Sequence, residues 1–170
     1  MRRLGLWTAL AAAAPAAAAA QSAATIGIQA GVSTEALTIV RTKALEFGPV
    51  VPGIATTVNP SSSVNAGEFE LRGLRRAGFT ATFTLPTELT VGPFSMPVTF
   101  DAQSGCQDKD TKGNCKFFDP RVPFTGQIGN KPVPQNTFFF WIGGTVTPAA
   151  GQQPGFYRGT ITLQVAYTGA

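Results

Sequence analysis

Gly155-Phe156-Tyr157-Arg158-Gly159 runs into Thr160-Ile161-Thr162-Leu163-Gln164-Val165-Ala166-Tyr167 near the C-terminal end of this 170-residue chain. Ile161, Leu163, Val165 and Tyr167 share one parity, and Thr160, Thr162, Gln164 and Ala166 share the other. This is the period-two pattern of a strand with one buried face. So regular a strand at this place has to pair with strands made much earlier, which predicts that it closes a β-sheet and that the domain is all-β.

Working back from that stretch, residues 79–86 hold the cleanest alternation in the chain, with Phe79, Ala81, Phe83 and Leu85 inward and three Thr outward. Burying each of these Phe and Leu side chains is worth about 1.5–3 kcal/mol before entropy is counted. This strand and the terminal one are expected in the middle of the core. Residues 67–72 place Phe69 and Leu71 on one face and Glu68, Glu70 and Arg72 on the other, the mark of a half-buried strand. Residues 36–41 and 54–59 read as further strands. Residues 96–101 read as an edge strand, because Pro97 has no N–H to give to a ladder. Residues 136–144, with Phe138-Phe139-Phe140-Trp141-Ile142, are apolar on both parities, so both faces are covered or one faces a partner. Gly143-Gly144 ends or bulges that strand. Thr145 to Thr147 resumes it and is expected to form a hairpin with the terminal strand.

The composition agrees with strands and turns: thirteen Phe, nineteen Gly, thirteen Pro, 13% charged residues and no His. At its start the chain has Arg2 and Arg3, an apolar run from residue 4 to 14, Pro15 and then Ala18-Ala19-Ala20. That order reads as a signal peptide over residues 1–20 with cleavage before Gln21. The mature chain is then exported, to the periplasm, the medium or the cell surface, with no span in the membrane. Loss of Arg2 and Arg3 lowers the formal charge of +4 by two, and the remaining basic residues are scattered apart from Arg72, Arg75 and Arg76. That triplet reads as a solvated turn, and nothing here suits nucleic acid.

Residues 21–35 form an N-terminal extension before a single domain over 36–170. Within it Ile26, Ile28, Ala30 and Val32 alternate with Thr25, Gly27, Gln29 and Gly31. The segment is either an ordinary first edge strand or a donor strand that adds to the sheet of a neighbouring subunit. Cys106 and Cys115, the only two cysteines of an exported chain, are read as one disulfide stapling a polar surface hairpin, worth about 2–3 kcal/mol.

Groups able to carry catalysis are few. Without His there is no triad and no histidine zinc site, and no Gly-x-Ser-x-Gly elbow is present. The nine acids sit mostly at turns or on outward parities, so a carboxylate pair for glycoside hydrolysis is not favoured. Asp108-x-Asp110-x-Lys112-Gly113, with Asp119 at the twelfth place, is a fragment of a calcium loop. Lys112 at the fifth place would repel the ion, and no helices flank the fragment. The reading is therefore of a protein that is not an enzyme and takes no metal or other cofactor.

Leu45-Glu46-Phe47-Gly48, the stretch Gly78 to Pro86, Met96-Pro97-Val98-Thr99-Phe100, Ile142-Gly143-Gly144-Thr145 and Gly155-Phe156-Tyr157-Arg158-Gly159 occur in this order before the last strand. In that order they resemble the bacterial exported family called domain of unknown function 4402, which is similar in design to chaperone-usher pilus subunits and spore-coat-protein-U-like proteins. The resemblance implies an immunoglobulin-like β-sandwich, and for pilin relatives one lacking its last strand and open to donor-strand addition by a periplasmic chaperone and then by the next subunit. On that reading the chain is a fimbria-like structural subunit that self-associates. Ile26, Ile28, Ala30 and Val32 are its donor strand, and Ile161, Leu163, Val165 and Tyr167 line its acceptor groove. The alternative is a monomeric glycan- or ligand-binding sandwich with aromatic platforms such as Trp141 or Tyr157.

Overall fold

The computed structural model describes residues 35–109, 114–132 and 135–168. They belong to the unit Ser33–Ala170. The other unit, Met1–Val32, lies outside the described residues, and with it the signal-peptide expectation and the proposed donor positions Ile26, Ile28, Ala30 and Val32.

Short alternating or β-branched runs, each ended by Gly, Pro or a polar turn, form twelve strands among the described residues. They are β1 (Thr38–Lys43), β2 (Thr56–Val58), β3 (Gly67–Arg72), β4 (Gly78–Thr84), β5 (Glu88–Val91), β6 (Phe94–Thr99), β7 (Gly105–Lys109), β8 (Lys116–Phe118), β9 (Phe124–Gln127), β10 (Thr137–Ile142), β11 (Gly144–Val146) and β12 (Thr162–Tyr167). The described residues contain no helix, as the absence of helical periodicity predicts. All pairings are antiparallel. The strand orders are β1-β3-β10-β7-β8, β2-β11-β6-β5 and β12-β4-β9.

The five- and three-stranded sheets form the two layers of a β-sandwich. Leu71 on β3 and Phe138, Phe140 and Ile142 on β10 come from one layer. Phe79, Ala81 and Phe83 on β4 and Leu163 on β12 come from the other, and together they make one buried cluster. Phe140 is fully buried and lies 5.0–6.2 Å, centroid to centroid, from the rings of Phe79, Phe83, Phe118, Phe124 and Phe138. Several of these contacts are edge-to-face, the arrangement the ring quadrupole favours. The four-stranded sheet continues one end of the sandwich around a smaller cluster of Met96, Val98 and Val146.

Gly143 lets β10 pass directly into β11 and so change sheets. A side chain there would collide with the Val58 carbonyl and meet the Pro60 nitrogen at 2.7 Å, so only glycine lets the two backbones approach this closely. The two parities of β10 are both covered, as its sequence predicts. On the outer face Phe139 and Trp141 stack at 5.7 Å, and Trp141 Nε1 donates to Glu68 Oε2 at 3.0 Å.

The terminal strand β12 sends Leu163 into the main core, as expected, and lies at the edge of its sheet, because β4 holds the central place between β12 and β9. Two expectations are corrected. β11 forms no hairpin with β12. It pairs with β2 and β6, and the connection that follows carries the chain across to β4, bridging Thr90 through Arg158 on the way. β6 is an inner strand despite Pro97. The Pro97 carbonyl accepts the Thr147 N–H at 3.0 Å, and the donor it lacks falls just past the end of β11, where the ladder has run out. Residues 124–127, too short and Gly-interrupted to announce themselves, form β9 as the other edge of the β4 sheet.

The Cys106–Cys115 disulfide is present. It staples β7 to β8, with Cys106 opposite Phe117, so the cysteines do close a hairpin. No helix among the described residues is long and apolar enough to cross a membrane.

Candidate functional site

A sheet edge is a row of unpaired N–H and C=O groups, and proteins protect such edges with bulges, charges, prolines or brevity. Compared on those terms, the edges of this sandwich are unequal. β1 carries Arg41 and Lys43 in its sequence and a bulge between Ile39 and Arg41 that interrupts its register. β2 and β8 are three residues long and β9 is four. The outer side of β5 is bridged at Thr90 by Arg158, with N···O distances of 2.8 and 3.0 Å.

β12 has none of these protections. Its sequence, Thr-Leu-Gln-Val-Ala-Tyr, holds no charge, no Pro and no Gly, and its six residues pair with β4 in unbroken register from Thr162↔Thr84 to Tyr167↔Phe79. Among the described residues no strand pairs with its other side. Of the positions expected to line a groove, Leu163 is buried in the main cluster, while Ile161 and Val165 are half-buried against it. Tyr167 is 36% exposed.

At the far end of β12 its edge meets the start of β1. The Tyr167 hydroxyl accepts the Leu74 N–H at 2.6 Å and donates to the Glu35 carbonyl at 3.2 Å. Asn136, fully buried, donates from Nδ2 to Glu35 Oε1 at 2.9 Å and to the Gly73 carbonyl. A side chain at Gly73 would strike the Tyr167 hydroxyl at 2.6 Å and Leu37 Cδ1 at 2.9 Å. The strand is thus pinned at its end, and no described strand pairs with its outer side. Sequence reading named Tyr167 for its parity and missed Asn136 and Gly73, whose partners are 63 residues apart and invisible to any local pattern.

The aromatic platforms take other roles. Trp141 is half-buried against Phe139 with its indole nitrogen on Glu68. Tyr157 is half-buried on the small cluster, its hydroxyl donating to the Gln153 carbonyl at 2.9 Å and accepting from Gln152 at 2.6 Å.

Several carboxylates are held by nearby donors. Asp119 makes a two-point ion pair with Arg121 at 2.8 and 2.9 Å, which pulls its pKa down to about 2. The Gln103 N–H and the Ser104 hydroxyl lower that of Asp101. Asp108 accepts the N–H groups of Lys109 and Asn114. A shallow cavity of about 190 Å³ beside β7 and β9 has Asp108 as its one carboxylate. Asp110 of the calcium-loop fragment is outside the described residues, and among those described no three metal-ligating side chains gather. Of the basic triplet, Arg75 and Arg76 are exposed on the β3–β4 turn, where Arg76 has a φ of 60°, and Arg72 is 3.9 Å from Glu70.

The model of the family described as a domain of unknown function (DUF4402) matches residues 37–167. The chain belongs to that family. The DUF4402 match runs from Leu37, just before β1, to Tyr167, the last residue of β12, so it spans the strands from the first described to the last. No curated protein matches the chain.

Proposed function

We propose that this DUF4402 chain is an exported structural protein whose subunits assemble by β-strand addition along the free side of β12. The observation that carries the reading is the contrast among edges: β12 alone is six residues long, uncharged, free of Pro and bulges, and unpaired on one side by any described strand. Such an edge is a template for an incoming strand, whose main-chain bonds give affinity and whose alternate side chains seat on apolar positions. Ile161, Leu163 and Val165 supply those positions from the acceptor, and Ile26, Ile28, Ala30 and Val32 have the spacing of a donor. The disulfide fits an oxidising compartment, in keeping with export. Partners of this chemistry are a second copy of the chain or an assembly chaperone that lends a strand.

The test is self-association of the exported chain. Purified protein beginning at Gln21 should form oligomers that resist sodium dodecyl sulfate, and deleting residues 21–33 should abolish them. Placing a charge on the face that receives the donor, by Val165→Lys, should have the same effect. A protein that stays monomeric at every concentration, or oligomers that survive both changes, would refute the reading.

A further inference from the structure

The charges of this molecule are segregated along its length. No charged residue occurs in segments 47–67, 89–100 or 132–157, and Arg158 is the only one after Lys131. Those segments supply β2, β6, β11 and most of β5, so Glu88 is the sole charged residue of the four-stranded sheet. The opposite end, around the β3–β4 turn, carries exposed Arg75 and Arg76.

At the uncharged end three loops are tied into one tip. The Gly53 N–H donates to the Pro148 carbonyl at 3.1 Å, and Gln152 Nε2 donates to the Ser95 carbonyl at 3.0 Å. A Cβ at Gly155 would sit 3.1 Å from Val91. Left-handed glycines, Gly53 at φ 79° and Gly92 at φ 54°, set two of the turns. From this ordered tip project Phe156, 87% exposed, with Ile54 at 59%, Val51 at 57% and Phe94 at 46%. The other exposed large apolar residues among those described are Ile39 and Val40 on β1, Val64, Leu74, Phe117, Val122 and Tyr167, and none of them belongs to the charge-free loops of the tip.

We propose that this tip docks onto a lipid bilayer, with Phe156, Phe94, Val51 and Ile54 entering the headgroup boundary and Arg158 meeting lipid phosphate. Three features select a bilayer. The exposed apolar side chains come from three chain segments, Val51 and Ile54 before β2, Phe94 at the start of β6 and Phe156 before Arg158, and so spread over a tip that suits a deformable surface. No carboxylate lies in the loops to be desolvated or to repel anionic headgroups. Exposed Arg158 stands at the root of the tip, opposite Thr90 on β5, where a cation can reach phosphate while the knobs insert. The surface lies at the other end from the Tyr167–Glu35 contact and does not depend on strand addition.

Flotation of the exported chain with vesicles of phosphatidylcholine, with and without phosphatidylglycerol, tests this. The wild type should float with both and more strongly with phosphatidylglycerol. Phe156→Ser should weaken binding about tenfold, and Phe156→Ser with Phe94→Ser should abolish it. Arg158→Gln should erase only the preference for phosphatidylglycerol. All these positions are exposed, so an unchanged thermal transition verifies folding of each variant. No flotation of the wild type, undiminished flotation of the double variant, or a dimer that needs Phe156 without any vesicle binding would each overturn the proposal.

Discussion

The Tyr167 hydroxyl, at the end of β12, donates to the carbonyl of Glu35, the first described residue before β1, across 132 positions of sequence at 3.2 Å. The same oxygen accepts the Leu74 N–H, so one phenol joins the end of the domain to its beginning and to the β3–β4 turn. Tyr167→Phe keeps the ring and removes both bonds, leaving a main-chain donor without its partner. The expected cost is about 1–2 kcal/mol in urea unfolding. A variant as stable as the wild type would show that water replaces the hydroxyl without loss.

The change of sheet at Gly143 gives a sharper test. Gly143→Ala drives a methyl into the backbone of Val58 and Pro60 and should destabilise by about 2 kcal/mol or more. Gly151→Ala, with nothing within 4 Å, should fall within about 0.5 kcal/mol of the wild type. Equal effects at the two sites would mean that the close approach of β10–β11 to β2 is not a packing constraint.

Phe140 is where both layers meet, and Phe140→Ala should cost about 3–5 kcal/mol. Phe117→Ala, at a ring 52% exposed on β8, should cost less than about 1 kcal/mol. Chemical denaturation of the two variants checks the ranking.

The Asp119 carboxyl should titrate near 2 by carbon-detected NMR. Its folded value lies below the ordinary 3.8, so any stabilisation from the Arg121 pair is complete above that ordinary value and is lost as pH falls through the folded one. Arg121→Gln should return the titration to the ordinary carboxylate range. Because Arg121 is exposed and Asp119 is partly open to solvent, the shift should shrink in high salt.

Reducing the Cys106–Cys115 bond should lower stability by about 2–3 kcal/mol, since it closes a short loop. The sheets should persist, because β7 stays paired with β10 along five residues.

The alternation of Phe79, Ala81 and Phe83 and that of Leu163 with Val165 identified strands and their inward faces before any coordinates, because a two-residue period is written locally and burial follows it. The two-sided apolarity of β10 left two readings, both faces covered or one facing a partner, and the structure covers both. The stapled hairpin could be read from two cysteines nine positions apart with polar residues between. The position of a strand within its sheet was not legible in this way. β12 reads as a core strand but not as the sheet edge it also is, and β6 reads as an edge and is inner, because neighbour choice depends on partners far away in sequence.

What the chain alone determined is that it folds as β-strands with one aromatic-rich interior, that two cysteines can staple a hairpin and that its charged residues are few. Periodicity, composition and residue type carry those properties, and each acts over a few residues. Only the tertiary structure decided which edge no described strand covers, where Tyr167 and Asn136 converge on Glu35 beside Gly73, and that Phe156, Phe94, Val51 and Ile54 share one tip. Those are relations among segments brought together by folding, and no local pattern records the distance between them.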